Sequence, residues 1–306
     1  MIPLFDLRDY EQDKAGFSRK LGAAFHQFGF VRVVGHGIPE DILKNADRAA
    51  ADFWALPEAV KDQSTVADLK GLIGYSRNSE KALGAKTVDL KEEWSVRARM
   101  PGDDAQMTQV GKFLTVPALP HFKGDITTLF GAFEDLTRKV MQPLSLYMGE
   151  AENWFDDKFD RSHSMMRLIH YPEGGNAAGH LDLNFLTWLR AEKPGLFVRA
   201  RDGKEYKVTA EPGELLLNGG MQLGLLTNND LKPSWHKVKA AEPRDTIVFF
   251  VHPNPDFVLT PLAKFAGNPP KKAPPYFPPA DKAGTRKITV EDFVRQEVAK
   301  VFAPKP

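Results

Sequence analysis

Between about residues 164 and 251 the chain changes texture, and that change restricts its fold more than any other feature. Short β-rich runs follow one another, at about 165–171, 180–190, 196–200, 205–209, 214–218, 221–227, 235–240 and 245–251. Turn residues separate them, and no stretch of helical periodicity between them is long enough to form a crossover. Eight short strands without intervening helices predict a jelly roll rather than alternating β and α units.

The flanks read differently. Phe17, Leu21, Ala24, Phe25 and Phe28 recur at helical spacing, which predicts an amphipathic helix over about 13–28 that Gly29 ends. Phe30–Val34 is short and β-branched, a strand. Pro39 fits a helix N1 position, with Glu40 and Asp41 suited to the positive end of the helix that Ile42, Ala46, Ala49 and Phe53 continue. A third helix is predicted over about 123–148, with Ile126, Leu129, Phe130, Phe133 and Val140 on one face; Pro143 should kink or break it. A proline-rich loop runs from Asn268 to Pro279. The last helix opens at Thr289, with Asp292 three residues on, as in a capping box. The expected class is α+β: a distorted jelly-roll core (a double-stranded β-helix) with an N-terminal helical region and a C-terminal helix. Its segments are 1–110 (mixed helix and strand), 111–163 (connecting helices), 164–255 (the jelly-roll core) and 256–306 (proline-rich loop and C-terminal helix).

Composition narrows the chemistry. With no cysteine, thiolate metal sites, disulfides and a cysteine nucleophile are excluded. The net charge of +1 offers no electrostatic reason to bind nucleic acid or an anionic membrane surface. No apolar run approaches the roughly 18 residues of a membrane span. Met1–Asp6 is not a basic region followed by a long apolar run, so a cytoplasmic protein is expected.

His180-Leu181-Asp182 is the first chemical signal. On a strand, residues two apart share a face, so the imidazole and the carboxylate could hold one cation. With 8 His and 40 acidic residues in 306, about one such pair arises by chance, so alone it says little. His236 falls on a later strand of the same β region. Two histidines and one carboxylate make the facial set of non-haem Fe(II) oxygenases, and the same set also suits Zn²⁺. Arg244 and Thr246 share another strand face, where a guanidinium fork and a hydroxyl fit a carboxylate. By itself Arg244 would read as a solvated turn residue.

Other polar residues carry less. His170 should point away from Tyr171 and pack structurally, and His36 and His252 read as structural. His26 and His121 have no partners at ligand spacing, and Lys91-Glu92-Glu93 looks like a solvated charged segment. There is no Walker-type phosphate loop, no Gly-x-Gly-x-x-Gly and no Gly-x-Ser-x-Gly.

The order of the pieces is more specific than any one of them. With Ile2-Pro3-Leu4-Phe5-Asp6, His36-Gly37-Ile38, Phe53-Trp54-Ala55-Leu56-Pro57, Gly74-Tyr75, Asp89-Leu90-Lys91-Glu92, Arg167 to Pro172, Thr187, Asn218-Gly219-Gly220 and Phe249 to Asn254 around them, the chain resembles the isopenicillin N synthase-like family of oxygenases along nearly its whole length. The resemblance implies iron ligands at His180, Asp182 and His236. It also implies a grip on the distal carboxylate of 2-oxoglutarate by Arg244 and Thr246, with Tyr171 helping. The implied cofactors are Fe(II), 2-oxoglutarate as cosubstrate and dioxygen, with ascorbate a further candidate. The implied reaction releases succinate and carbon dioxide and oxidises a small molecule, by default by hydroxylation. Three positions depart from the family: Ile169 stands for a frequent asparagine, Asn184 for a usual glycine and Met221 for a usual acidic residue. The alternatives are an iron oxidase on this scaffold that uses no 2-oxoglutarate, a zinc hydrolase, and a catalytically silent jelly-roll binding protein.

For the prime substrate, alternation puts Arg167, Ile169 and Tyr171 on one strand face, and Arg97 and Arg99 on one face of their own segment. A buried guanidinium needs a counter-charge. One expectation is an anionic small molecule held by Arg167 with help from Arg97. The other is that Arg167 pairs with an internal carboxylate.

Overall fold

Period-two alternation in the β-rich region builds two facing sheets. The computed structural model describes residues 1–66, 73–78, 88–97, 115–282 and 284–302. The N-terminal region contributes β1 (Leu4–Asp6), β2 (Phe30–Val34), β3 (Gly74–Arg77) and β4 (Glu92–Arg97). The core contributes β5 (Met165–Tyr171), β6 (Asn176–His180), β7 (Leu186–Arg190), β8 (Leu196–Arg199), β9 (Glu205–Val208), β10 (Leu215–Gly219), β11 (Trp235–Lys239) and β12 (Arg244–Val251). The large sheet runs β1-β2-β10-β7-β12-β5-β4-β3, and the small one runs β6-β11-β8-β9. The core is therefore a jelly roll of eight strands, four in each sheet, and the strands of the N-terminal region extend its large sheet on both sides.

The number of core strands matches the sequence expectation, but two assignments within it are corrected. The run 180–190 is not one strand: β6 ends at His180, and β7 begins at Leu186. The run 221–227 is not a strand either; Met221–Leu226 is a helix. A short apolar run does not declare its period. Here the choice is made by tertiary bonds, because Met221 N donates to Asp182 O (2.8 Å) and Gln222 N to Asn184 O (3.2 Å), engaging the first amides of the helix.

The first three helices pack against the large sheet, and the last packs in a separate apolar cluster. α1 (Lys14–Phe28) starts where the Asp13 side chain accepts from Gly16 N, and ends at Gly29 in the left-handed region (φ 65°), a position that suits glycine. α2 (Glu40–Trp54) takes Pro39 as N-cap, one residue before the expected N1 role. α3 (Phe122–Met148) passes through Pro143 without a break. Ile126, Leu129, Phe133, Leu136, Val140, Leu144 and Met148 are buried in the main core, and packing along 27 residues offsets one missing amide hydrogen bond. α4 is the helix Met221–Leu226. α5 (Val290–Phe302) opens as expected, with Asp292 N donating to Thr289 Oγ1 (3.1 Å).

The inner face of the large sheet holds the site. Direct cross-strand pairs align Tyr171 with Arg244, Ile169 with Thr246, Arg167 with Val248 and Met165 with Phe250. Phe250 in turn lies opposite Thr187. Ile169, Leu189, Leu216 and Val248 meet Val198, Val238 and Ala177 of the small sheet in an inner apolar cluster. Among the described residues no helix is long and apolar enough to cross a membrane.

Candidate metal and cosubstrate centre

His180 and His236 lie directly opposite each other on β6 and β11, with a bulge between His236 and Val238. Two features bring these strands together. The Trp235 ring lies so close to Gly179 that any Cβ there would overlap it, so the residue before His180 must be bare. The bulge after His236 re-aims the strand once the imidazole is placed. Asp182 is not on the strand, as the spacing argument assumed; it sits in the turn after β6 and still converges on the histidines.

The three side chains form the metal-capable group found among the described residues, their ligand atoms within 4.8 Å of one another. Asp182 Oδ1 faces His180 Nε2 at 3.6 Å and His236 Nε2 at 3.7 Å. Each ring is fixed from behind: His180 Nδ1 lies 2.8 Å from Ala178 O and His236 Nδ1 3.0 Å from Ser234 O. A carbonyl can only accept, so both Nδ1 atoms carry the proton and both Nε2 lone pairs point into the group. Asp182 Oδ2 is likewise occupied, accepting from Thr187 Oγ1 (2.6 Å) and Asn218 Nδ2 (2.8 Å). Asn184 completes the arrangement by donating from Nδ2 to Thr187 Oγ1 (3.1 Å), which directs the one hydroxyl proton toward Asp182. Burial opposes the charge on Asp182, but His236, His180 and the two hydrogen bonds outweigh it and hold its carboxyl below the usual range. Burial drives His236 down, so it stays neutral, as a metal ligand must. One carboxylate oxygen and two imidazole lone pairs, with no thiolate, fit Fe(II).

Six residues from Phe250 along β12 the situation reverses. Arg244 and Thr246 are buried, at 2 % and 5 % exposure. Arg244 Nε and Nη1 and Thr246 Oγ1 have no hydrogen-bond partner. The guanidinium lies 5.6 Å from the centre of the Tyr171 ring, and burial lowers its affinity for a proton. Three unpartnered polar atoms in a dry cavity cost about 1–3 kcal/mol each. They fit a carboxylate, which offers a fork of acceptors to the guanidinium and one more to the hydroxyl.

Around the centre, several expectations change. Arg167 has an internal counter-charge: Nη1 meets Glu93 Oε1 at 3.0 Å and Nε donates to Ser95 Oγ at 3.0 Å. This meets the expectation that Arg167 pairs with an internal carboxylate. Arg97 ends β4 opposite Met165, two residues along from Ser95, which lies opposite Arg167. Arg99 lies outside the described residues. Lys91-Glu92-Glu93 is not a solvated segment, since Lys91 and Glu93 are 6 % and 1 % exposed and 2.7 Å apart. His170 does point away from Tyr171 and packs, its ring 5.8 Å from that of Trp54, and it is also paired with Asp245 at 2.7 Å. His26 and His121 each face one carboxylate, Asp230 and Asp52. Sequence spacing finds the three ligand candidates but not the residues behind them; Asn184 and Asn218, fully buried amides beside the His-x-Asp and the Gly-Gly turn, were the available signal.

Comparison with known proteins agrees with this geometry. Residues 2–117 match the family model of the N-terminal region of non-haem dioxygenases described from morphine synthesis. Residues 162–253 match that of the 2OG-Fe(II) oxygenase superfamily. The chain is 27% identical to homoarginine-6-hydroxylase 2-ODD-C23.2 of Arabidopsis thaliana, over 83% of the chain and 74% of that protein. It is 24% identical to gibberellin 20 oxidase 1 of rice, Oryza sativa, over 81% and 70%. Among solved structures, a 2OG-Fe(II) oxygenase family protein of Caulobacter crescentus superposes with a TM-score of 0.82 at 28% identity, over 97% of this chain and 98% of that one. The rice dioxygenase for auxin oxidation shares the fold, with a TM-score of 0.73 at 22% identity, over 98% and 95%. Both parts of the chain, the helical N-terminal region and the jelly roll that carries His180, Asp182 and His236, thus find their likeness in one group of enzymes, and the chain belongs to the Fe(II)- and 2-oxoglutarate-dependent oxygenases.

Proposed function

We propose that His180, Asp182 and His236 hold Fe(II) and that Arg244 and Thr246, with Tyr171 stacked beside the guanidinium, hold the distal carboxylate of 2-oxoglutarate. The enzyme is a 2-oxoglutarate-dependent dioxygenase, an oxidoreductase that uses Fe(II) and releases succinate and carbon dioxide. The observation that carries the residue assignment is the set of unpartnered atoms on Arg244 and Thr246, buried on the same sheet face as Thr187, which holds Asp182. An oxidase that needs no keto acid would use that fork only for a carboxylate of its own substrate, which the titration below distinguishes.

The residues divide the work. Ala178 O and Ser234 O fix the histidine tautomers. Thr187 and Asn218 saturate Asp182 Oδ2 and leave Oδ1 for the metal. Ile169, Leu189, Leu216 and Val248 exclude water between the two ends of the cavity. Bound at the triad, Fe(II) would supply the redox chemistry that joins dioxygen to keto-acid decarboxylation and substrate oxidation. Relatives named for homoarginine and gibberellin oxidation support a small-molecule prime substrate. Hydroxylation is its proposed fate, and the cytoplasm, where iron stays ferrous, the proposed location.

The test is an anaerobic titration of the Fe(II)-loaded protein with 2-oxoglutarate. A weak visible charge-transfer band should grow with the keto acid and be absent in Arg244→Met at the same concentration. A band of undiminished affinity in Arg244→Met would move the carboxylate site elsewhere.

A further inference from the structure

We infer that His252 and Gln222 form a prime-substrate subsite that recognises a neutral amide-type group through one donor and one acceptor. The inference names the substrate class of the site proposed above and rests on that reading for the word substrate.

The placement follows from the sheet. Arg244, Thr246, Val248 and Phe250 point into the cavity, opposite the inward residues of β5. His252 is the next residue of that parity, one step past the end of β12 and beyond Phe250, which pairs with Thr187 beside Asp182. Burial, the neighbouring His163 and, more weakly, Asp182 act on its ring. Gln222 reaches the same place from α4, whose first amides are tied to Asp182 O and Asn184 O. The two side chains meet, Gln222 Nε2 lying 3.1 Å from His252 Nδ1. Gln222 is fully buried, yet its Oε1 has no partner.

The chemistry of the pair is the same whichever way the amide is turned. If Gln222 Nε2 donates to His252 Nδ1, the ring proton sits on Nε2, and the pair presents an N–H and the Gln222 carbonyl. If the amide is reversed, His252 Nδ1 donates to the Gln222 carbonyl, and the pair presents the lone pair of Nε2 and the amide N–H. Either state leaves at least one donor and one acceptor, with a further amide N–H of Gln222 beside them, and this set is complementary to a lactam, a cyclic imide or another cis-amide. The subsite is uncharged, because burial pushes the His252 pKa down to about 3. The nearby charge of Arg167, whose guanidinium lies 5.6 Å from the Phe250 ring centre, is met by Glu93. An anion would find no free counter-charge in this pair, and a cation would find none either. A buried amide lacking one partner discriminates against groups that cannot supply it.

The test uses the full chain loaded with Zn(II) and 2-oxoglutarate, its histidines labelled with ¹⁵N. It is titrated with 2-piperidone, a neutral cis-amide, and with cyclohexanecarboxylate, an anion of the same ring size. The lactam should shift the His252 ring resonances, and the carboxylate should not. Gln222→Met keeps the side-chain length and removes the amide; it should weaken lactam binding about tenfold, the loss expected for one hydrogen bond in a dry pocket. His252→Asn is read beside it, so that a folding failure in one variant leaves the other to decide. Zn(II) and 2-oxoglutarate affinities, measured in the same samples, should not change, whereas a merely structural role for the pair would loosen the Asp182 turn and the metal with it. A shift caused by the carboxylate alone, no lactam shift up to its solubility, or undiminished lactam affinity in both variants overturns the inference. Because the titration is read on an inert metal, a failure of the Fe(II) protein to form succinate would count against the proposed function and leave this result standing.

Discussion

At the metal end of the cavity each of the three triad side chains is held by a partner of its own: Asp182 Oδ2 has Thr187 and Asn218, and each histidine Nδ1 has a carbonyl. At the other end Arg244 and Thr246 are as deeply buried and have none of these supports. The difference is physical. Ligands to a metal must be held at a fixed geometry before the ion arrives, so the chain itself supplies the second contact of each. A fork proposed to bind a carboxylate must instead leave its donors vacant, and on that proposal the folded protein carries the desolvation cost until the cosubstrate removes it. The metal end should therefore fail through loss of positioning, and the cosubstrate end through loss of ligand binding.

The largest effect tests the metal end directly. Asp182→Ala or His236→Ala should lower Fe(II) affinity by more than about 100-fold and abolish succinate formation, since each removes one of the three proposed protein ligands. Full turnover in either would break the comparison at once. Next come the residues behind the ligand. Thr187→Val, measured by anaerobic Fe(II) titration, should cost roughly 10–100-fold in affinity, and Thr187→Ser should restore most of it. Asn184→Ala should cost about tenfold in the Thr187 background and nothing further in Thr187→Val, because its amide acts through that hydroxyl. Equal losses in both backgrounds would mean that Asn184 supports only the turn.

The cosubstrate end should respond differently. Arg244→Lys keeps the charge and loses the fork, so the KM for 2-oxoglutarate should rise about tenfold with Fe(II) affinity unchanged. The smallest effect is the most discriminating. Arg244→Met should raise the stability of the ligand-free protein by about 1 kcal/mol or more in denaturant titration, since it replaces an unpaired buried guanidinium with an apolar chain. The same variant should lose the thermal stabilisation by 2-oxoglutarate, about 2.7 kcal/mol at 100 times Kd for the unaltered enzyme. A ligand-free Arg244→Met protein that is less stable would mean that the fork is already satisfied, and the two ends would not differ.

What could be read in advance was local or strongly periodic. Helices α1 and α3, strands β5 and β12 and the cap at Thr289 follow from spacing and capping within one segment. The run 221–227 misleads because a short apolar stretch fits a strand and a helix equally well; the carbonyls of Asp182 and Asn184, which choose the helix by accepting from its first amides, belong to a turn far back in the chain. Lys91-Glu92-Glu93 misleads for the same reason. Charge suggests solvent until a partner is known, and the partner, Arg167, lies 74 residues on.

The sequence alone determined which donor types could meet at a metal: an absence of cysteine, one His-x-Asp, a later histidine and an Arg-x-Thr, in an order that leaves few alternatives. Only the tertiary structure decided which polar atoms are answered within the protein and which wait for a ligand. Thr187, Asn184 and Asn218 close around one oxygen of Asp182, Glu93 closes around Arg167, and Arg244, Thr246 and Gln222 keep unpartnered atoms. Residue type states what an atom can donate or accept, but whether a partner stands within about 3 Å of it depends on strands far apart in the chain being brought side by side.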